Sequence, residues 1–290
     1  MSIRRGKMKY KCLIVPTVLL LIAVLVVNSP AVAMVMHPDG EPPVSWSDKP
    51  SANILGRWGS NGSCVAIAPN YVITTRHQGG GVGTTVVIGG NSYTVSQVWN
   101  HASADIRIAK LAGANLTEYA GLYSATDEVG KEIVLGGYGK GRGDDLTSGS
   151  GKVYGYSWAG DDNQTLRWGT NTIDASAIRS SWGFTSETLR ADFDILSNGT
   201  DYEAAPAEWD SGGGWFVKVD DQWQVVALNA YVEHEDETWF MNPRGGLDPD
   251  MFWGIRVSAY SDWINSIIPE PATLLLLSIG GAFGLIRRRK

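Results

Sequence analysis

The 290-residue sequence predicts an all-β body. Short β-branched apolar runs recur along it, Gly, Asn and Asp punctuate them, and glycine is abundant at 35 residues. Runs of that length separated by turn chemistry belong to barrels or sandwiches rather than to helical bundles. The length accommodates two half-domains of about six strands each.

Strand signals begin at Asn53. Residues 64–68 and 71–75 read as two strands about a Pro69-Asn70 turn, and 84–88 and 92–99 flank Gly89-Gly90-Asn91. Residues 105–111 follow. The second half continues with 132–137, 151–158, 164–174, 187–193, 214–219, 222–231 and 252–257. Between 258 and 268, Tyr260, Trp263, Ile264 and Ile267 recur at helical spacing and predict one amphipathic helix.

Both ends read as addresses. Arg4, Arg5, Lys7, Lys9 and Lys11 precede a run over 12–27 that only Pro16 and Thr17 interrupt, and Ala31-Val32-Ala33 is a small-residue cleavage site. Residues 1–33 are therefore expected to be a secretory signal peptide, the alternative being a retained membrane anchor. Residues 34–52, with Pro and Ser and no periodicity, are expected to form a flexible leader. At the other end, Pro269-Glu270-Pro271 precedes an apolar stretch over 272–286, closed by Arg287-Arg288-Arg289-Lys290. That stretch spans about 22 Å as helix, short for a bilayer, and its basic end would stay cytoplasmic.

The 269–290 pattern resembles a PEP-CTERM sorting signal. The resemblance implies export in a bacterium with an outer membrane, transient anchoring in the inner membrane, and removal by an exosortase-type processing enzyme. The protein would then reach the cell surface or the medium. A permanent tail anchor is the alternative.

Without its two ends the chain, residues 34–268, holds 15 Lys and Arg against 29 Asp and Glu, a net charge of −14. A body so acidic, with no basic patch, excludes nucleic acid held through its phosphates. Cys64 is the one cysteine of that body, so it has no internal disulfide and depends on packing.

The chemistry centres on Glu208-Trp209-Asp210-Ser211-Gly212-Gly213-Gly214, a polar glycine-rich turn before the apolar Trp215-Phe216-Val217. A serine hydroxyl attacks only when a base takes its proton and backbone N–H groups receive the oxyanion. Upstream stand Ala66–Ile67–Ala68–Pro69–Asn70–Tyr71–Val72–Ile73–Thr74–Thr75–Arg76–His77 and Asp105-Ile106-Arg107-Ile108-Ala109-Lys110-Leu111.

These three segments resemble the histidine, aspartate and serine segments of trypsin-like (chymotrypsin-fold) serine peptidases, in that family's order. Gly137-Tyr138-Gly139 resembles its Gly-Trp-Gly, and Arg256-Val257-Ser258-Ala259-Tyr260 its closing strand and terminal helix. The resemblance covers 53–268. It implies two six-stranded antiparallel β-barrels with a C-terminal helix. It also implies a nucleophile Ser211, a general base His77, an orienting Asp105, an oxyanion hole from the N–H groups of Trp209 and Ser211, and a structural acid Asp210. The specificity pocket would involve Ala205, Ala230 and Phe252. No cofactor is implied, and the partners are a peptide or protein substrate and the processing enzyme.

Blander readings stand beside these. Asp105 and Asp210 also suit turns, and a strand-end histidine such as His77 is often satisfied by backbone. His37, His101 and His234 have only that structural reading. The run 137–143 lacks the following helix of a phosphate loop. Glu233-His234-Glu235-Asp236-Glu237 reads as a solvated acidic loop before it reads as a cation site.

Four departures from the family matter. Trp209 stands where a glycine is usual, His77 and Asp105 lie unusually close in sequence, and Gln78 replaces a cysteine. Ala205 offers no acid for Arg or Lys substrates, and Phe252 is expected to narrow the pocket. Ile54-Leu55-Gly56 looks like an activated N-terminus but lies too near His77, so Asp210 is expected to have an internal partner. The leading expectation is an exported serine endopeptidase. The competing ones are an inactive protein of this fold that binds partners at the cell surface or matrix, and a structural envelope protein.

Overall fold

The computed structural model describes residues 34–160 and 165–268. The signal segment expected over 1–33 and the sorting tail over 269–290 lie outside the described residues.

The chain enters at β1 (Val35–Met36) and then builds β2 (Leu55–Trp58), β3 (Ser63–Ala68), β4 (Tyr71–Thr74), β5 (Thr85–Ile88), β6 (Asn91–Asn100) and β7 (Arg107–Leu111). Strands β2 to β7 close into a six-stranded barrel in the order β2-β3-β4-β7-β6-β5. Side chains alternate across a strand, so the unbroken apolar run of β3 serves two cores. Cys64 and Ala66 fill the barrel with Trp58, Val72, Val86 and Leu111. Val65 and Ile67 face outward onto Phe216, Leu228 and Ile255 of the second half.

The second half holds β8 (Gly121–Leu122), β9 (Glu132–Gly137), β10 (Arg142–Thr147), β11 (Val153–Trp158) and β12 (Arg167–Thr172). After these come β13 (Ala175–Ser181), β14 (Phe184–Asp192), β15 (Ala204–Ala205), β16 (Gly214–Val219), β17 (Gln222–Val232), β18 (Glu237–Trp239) and β19 (Met251–Arg256). The main sheet runs β12-β9-β16-β17-β19-β14-β13, with β8 parallel on β17, while β10, β11 and β18 form a separate sheet. The sheet's six strands from β12 to β14 curl without a backbone seam. Asn171 of β12 bridges the gap, its Nδ2 donating to the Asp192 carbonyl of β14 at 2.7 Å. The fold is thus all-β as predicted, with one closed barrel and one side-chain-closed sheet. Trp215, Phe252, Leu189 and Phe193 fill that sheet.

The expected terminal helix forms as a 3-10 turn, Ser258–Tyr260, and α1 (Ser261–Ile267), which buries Ile264. Cys64 is a buried free thiol, its pKa pushed up by desolvation.

The expectation of a flexible leader over 34–52 is corrected at its start. Met34, Val35 and Met36 are buried, and β1 pairs antiparallel with β15 through Val35–Ala205 and Met36–Ala204. Three residues are too few to show a period in sequence, and their strand partner lies far along the chain.

Candidate active site

Three side chains from two halves of the fold meet in one cleft. β4 ends at Thr74 and delivers His77 in the loop after it, and the loop before β7 carries Asp105. Asp105 Oδ1 accepts the N–H groups of Arg76 (2.7 Å) and His77 (2.9 Å), which pins the carboxylate. Its Oδ2 lies 2.6 Å from His77 Nδ1, and His77 Nε2 lies 2.7 Å from Ser211 Oγ. Asp105 is fully buried and the His77 side chain is 12% exposed. The short separation of the two residues in sequence is thus compatible with contact, because a single two-stranded hairpin, β5–β6, spans it.

Ser211 sits in a loop stitched to both halves. Its carbonyl accepts the Ser63 N–H of β3 at 2.8 Å, and Ser63 Oγ donates to the Trp209 carbonyl at 3.2 Å. On the other side Gly212 N–H donates to Asn229 O, and Asn229 N–H to Gly213 O, each at 2.8 Å. Gly212 needs to be glycine: at φ +80 a Cβ would stand 2.2 Å from Ser63 O.

A turn precedes the serine, closed by Asp210 N–H onto Ala207 O at 3.1 Å. Its third residue, Trp209, has φ +74, a conformation that glycine adopts freely and a bulky residue adopts at a cost of about 1 kcal/mol or more. The indole is held there by Lys140, whose ammonium lies 5.3 Å from the ring and also pairs with Glu208. Among the described residues, the N–H groups of Trp209 and Ser211 have no hydrogen-bond partner.

Asp210 is completely buried behind this turn. Its Oδ1 accepts Gly139 N–H at 2.7 Å and its Oδ2 accepts Ala207 N–H at 2.9 Å, and the Met34 backbone, close by, also favours the ionised form. Burial nevertheless pushes its pKa up to about 7. The close approach explains two glycines of the 137–139 segment: a Cβ on Gly137 would meet Asp210 Oδ1 at 2.0 Å, and one on Gly139 the Glu208 carbonyl at 2.5 Å. That run packs an acid and holds no phosphate loop.

The cleft beside Ser211 encloses about 570 Å³, walled by Pro206, Ala207, Trp209, Ala230 and Val232, with Trp158, Glu235 and Asp236 also lining it. Of the three residues expected in a specificity pocket, Ala230 lines it, whereas Ala205 and Phe252 do not. Ala205 is taken up by pairing with Val35. Phe252 turns into the core, edge-on to Trp215 at 5.4 Å. Counting back from Ser211 misplaces the wall by one residue, because β15 faces inward and Pro206-Ala207 takes the cleft side.

Gln78 donates from Nε2 to Ser63 O at 3.1 Å and to Thr74 Oγ1, tying the loop after β4 to β3. The other histidines are structural. His37 bonds the Tyr156 hydroxyl and the Asp194 carbonyl, with its pKa lowered by burial. His101 accepts the N–H groups of Ser103 and Ala104, and its pKa is also lowered by desolvation. His234 pairs with Asp250 at 2.7 Å. In the acidic stretch Glu233 accepts Met251 N–H and leaves Glu235 and Asp236 at the cleft rim. No group of three His, Cys, Asp or Glu side chains among the described residues is placed to hold a metal ion.

Residues 268–290 match the PEP-CTERM protein-sorting motif, so the chain carries an export-associated sorting signal at its end. Among solved structures, the chain is similar to the inactive form of Rv3671c protease, at 15% identity and a TM-score of 0.46, over 75% of this chain and 90% of that one. No curated protein matches.

Sequence reasoning missed four residues at or near the site: Met34 against Asp210, Lys140 over Trp209, and Arg179 and Trp182 along the cleft. A Trp-Gly pair between two polar stretches was the available signal for the last.

Proposed function

We propose that the chain is an exported serine endopeptidase. The observation that carries this reading is the continuous hydrogen-bonded set from Asp105 through His77 to Ser211, with two unpartnered N–H groups beside the hydroxyl.

Ser211 Oγ attacks the scissile carbonyl carbon while His77 Nε2 takes the hydroxyl proton. Asp105 Oδ2, on Nδ1, keeps the free electron pair on Nε2 and stabilises the imidazolium. The carbonyl oxygen becomes an oxyanion and is received by the N–H groups of Trp209 and Ser211, each worth about 3–4 kcal/mol. The imidazolium then protonates the leaving amine, the C–N bond breaks, and an ester on Ser211 remains. A water deprotonated by the same imidazole cleaves that ester and restores the hydroxyl.

The substrate would add to the free edge of β17. Tyr231 and Val232 pair with β19 on one side, and among the described residues no strand occupies the other. An extended peptide there gains backbone hydrogen bonds without sequence preference.

Export follows from the sorting motif. Passage through the inner membrane, transient anchoring by the C-terminal segment and release by an exosortase-type enzyme complete the proposed route. Among the described residues no helix is long and apolar enough to cross a membrane.

The competing reading, an inactive binding protein, rested on Trp209 and Phe252. Phe252 lies in the core and Trp209 keeps an unpartnered N–H, so neither favours it. The test is labelling by a fluorophosphonate. Wild-type protein reacts at Ser211, and Ser211→Ala and His77→Ala abolish the reaction. An unreactive wild type, correctly folded, supports the inactive binder instead.

A further inference from the structure

The turn joining β13 and β14 is Trp182-Gly183, between the paired Ser181 and Phe184. Both turn residues have positive φ, +49 and +80, the geometry that two-residue hairpins normally give to Asn-Gly or Asp-Gly. An indole at the first position is a poor choice for folding, and it is 55% exposed. Yet it is not idle. It stacks on the His77 imidazole with centroids 4.1 Å apart and planes at 22°, and on Tyr231 at 5.1 Å and 19°.

The hairpin is fastened so that its tip stays there. Thr185 N–H donates to Ser103 O at 3.0 Å, and Ser186 Oγ accepts the Asp105 N–H at 2.9 Å. The Arg76 guanidinium lies over Phe184 at 4.3 Å. Each tie runs from the second half of the fold to the loops that carry His77 and Asp105. Trp182 is therefore a fixed wall over one face of the imidazole.

A peptide on the free edge of β17 meets that wall. With its scissile carbonyl at Ser211, the residue that supplies this carbonyl turns its side chain into the cleft between Ala207 and Ala230. Successive side chains of an extended strand point to opposite faces. The residue one step toward the peptide's N-terminus would therefore project to the opposite side of the cleft, the side walled by His77 and Trp182. The indole, stacked on both His77 and Tyr231, narrows the space on that side.

Resting on the peptidase reading above, we propose that Trp182 is a specificity-determining residue that limits the substrate position immediately before the scissile residue to glycine or alanine. A larger side chain must displace an indole held by two ring contacts.

The test uses the exported protein and fluorogenic peptides that differ only at that position, as Gly, Ala, Leu or Phe. Wild-type protein is expected to give a kcat/KM for Gly and Ala at least about tenfold above Leu and Phe, the range that one misfitting side chain commands. Trp182→Asn suits the turn better and removes the indole, and Trp182→Ala controls for the new amide. Both are expected to raise the Leu-to-Gly ratio about tenfold or more. An unchanged ratio in both variants overturns the proposal. So does a wild type that prefers Phe, which would make the indole a stacking platform. Fluorophosphonate labelling of the wild type runs alongside. Labelling with an unchanged ratio sinks the Trp182 proposal alone, whereas a folded wild type that neither labels nor cleaves sinks the peptidase reading and this one with it.

Discussion

The backbone N–H of Met34 lies close to the buried carboxylate of Asp210 and favours its ionised form, beside the N–H groups of Gly139 and Ala207 that donate to it. The cleavage expected after Ala31-Val32-Ala33 would fall directly before it. Cutting there turns an amide N–H into an ammonium at the same place, and charge-assisted hydrogen bonds are about twice as strong as neutral ones. Asp210 belongs to the turn that presents the N–H groups of Trp209 and Ser211. A form beginning at Met34 is therefore expected to exceed a form that keeps several preceding residues by about tenfold or more in kcat/KM, the two compared after N-terminal sequencing. Equal activity would mean that this contact does not reach the oxyanion donors.

The pH dependence of stability separates the same two forms. With an amide at Met34, burial raises the Asp210 pKa from 3.8 to about 7. A carboxyl whose pKa is higher folded than unfolded holds its proton more tightly in the folded state. Its contribution is fully present below about pH 4 and is lost as pH rises to about 7, on the order of 4 kcal/mol. An ammonium at Met34 opposes burial and keeps Asp210 ionised, flattening this slope. Glu203, raised to about 8, and Asp192 and Asp250, each raised to about 6, slope the same way in both forms. The measurement is thus the difference between urea midpoints of the two forms from pH 4 to 8, expected to widen with pH. A constant difference would sink the pairing.

How legible the site was depended on where each residue sits. His77, Asp105 and Ser211 lie in or beside strands such as β3, β4 and β16, whose buried runs are visible one strand at a time. β13 escaped because Ser176, Ile178 and Ser180 are exposed on one face and no apolar run marks it. With the strand unseen, the Trp182 turn had no context. Met34 escaped because a contact between residues 34 and 210 is tertiary, and the chain around it reads locally as leader. Ala205 and Phe252 were reached by counting, and strand pairing decides which side of the chain faces a cleft.

Gly139→Ala tests how tightly the 207–210 turn is supported from behind. A Cβ there would stand 2.5 Å from Glu208 O and 2.6 Å from Asp210 N, both backbone atoms. Backbone cannot turn away as a side chain can, so the turn itself must shift. The expected cost is about 1–3 kcal/mol of stability from overpacking. Displacing the oxyanion donors by a fraction of an ångström is expected to lower kcat by up to about 10²-fold with little change in KM. Denaturant titration and steady-state kinetics read the two effects separately, and a kcat unmoved despite lost stability would argue that the donors are not where the charge develops.

Asp105→Asn offers the sharpest probe of His77, because the geometry dictates how the amide sits. Oδ1 accepts two backbone N–H groups, from Arg76 and His77, at 2.7 and 2.9 Å. The amide must keep its oxygen there and present its NH2 group to His77 Nδ1. Nδ1 then becomes an acceptor, and the ring proton moves to Nε2, where it meets Ser211 Oγ as a donor. In that tautomer the imidazole cannot take the serine proton, although every heavy atom remains in place. The variant is expected to fold with unaltered stability to within about 1 kcal/mol, to bind substrate with similar KM, and to lose about 10⁴ in kcat. A loss below about tenfold would show that Asp105 anchors the 76–77 backbone and takes no part in setting the tautomer.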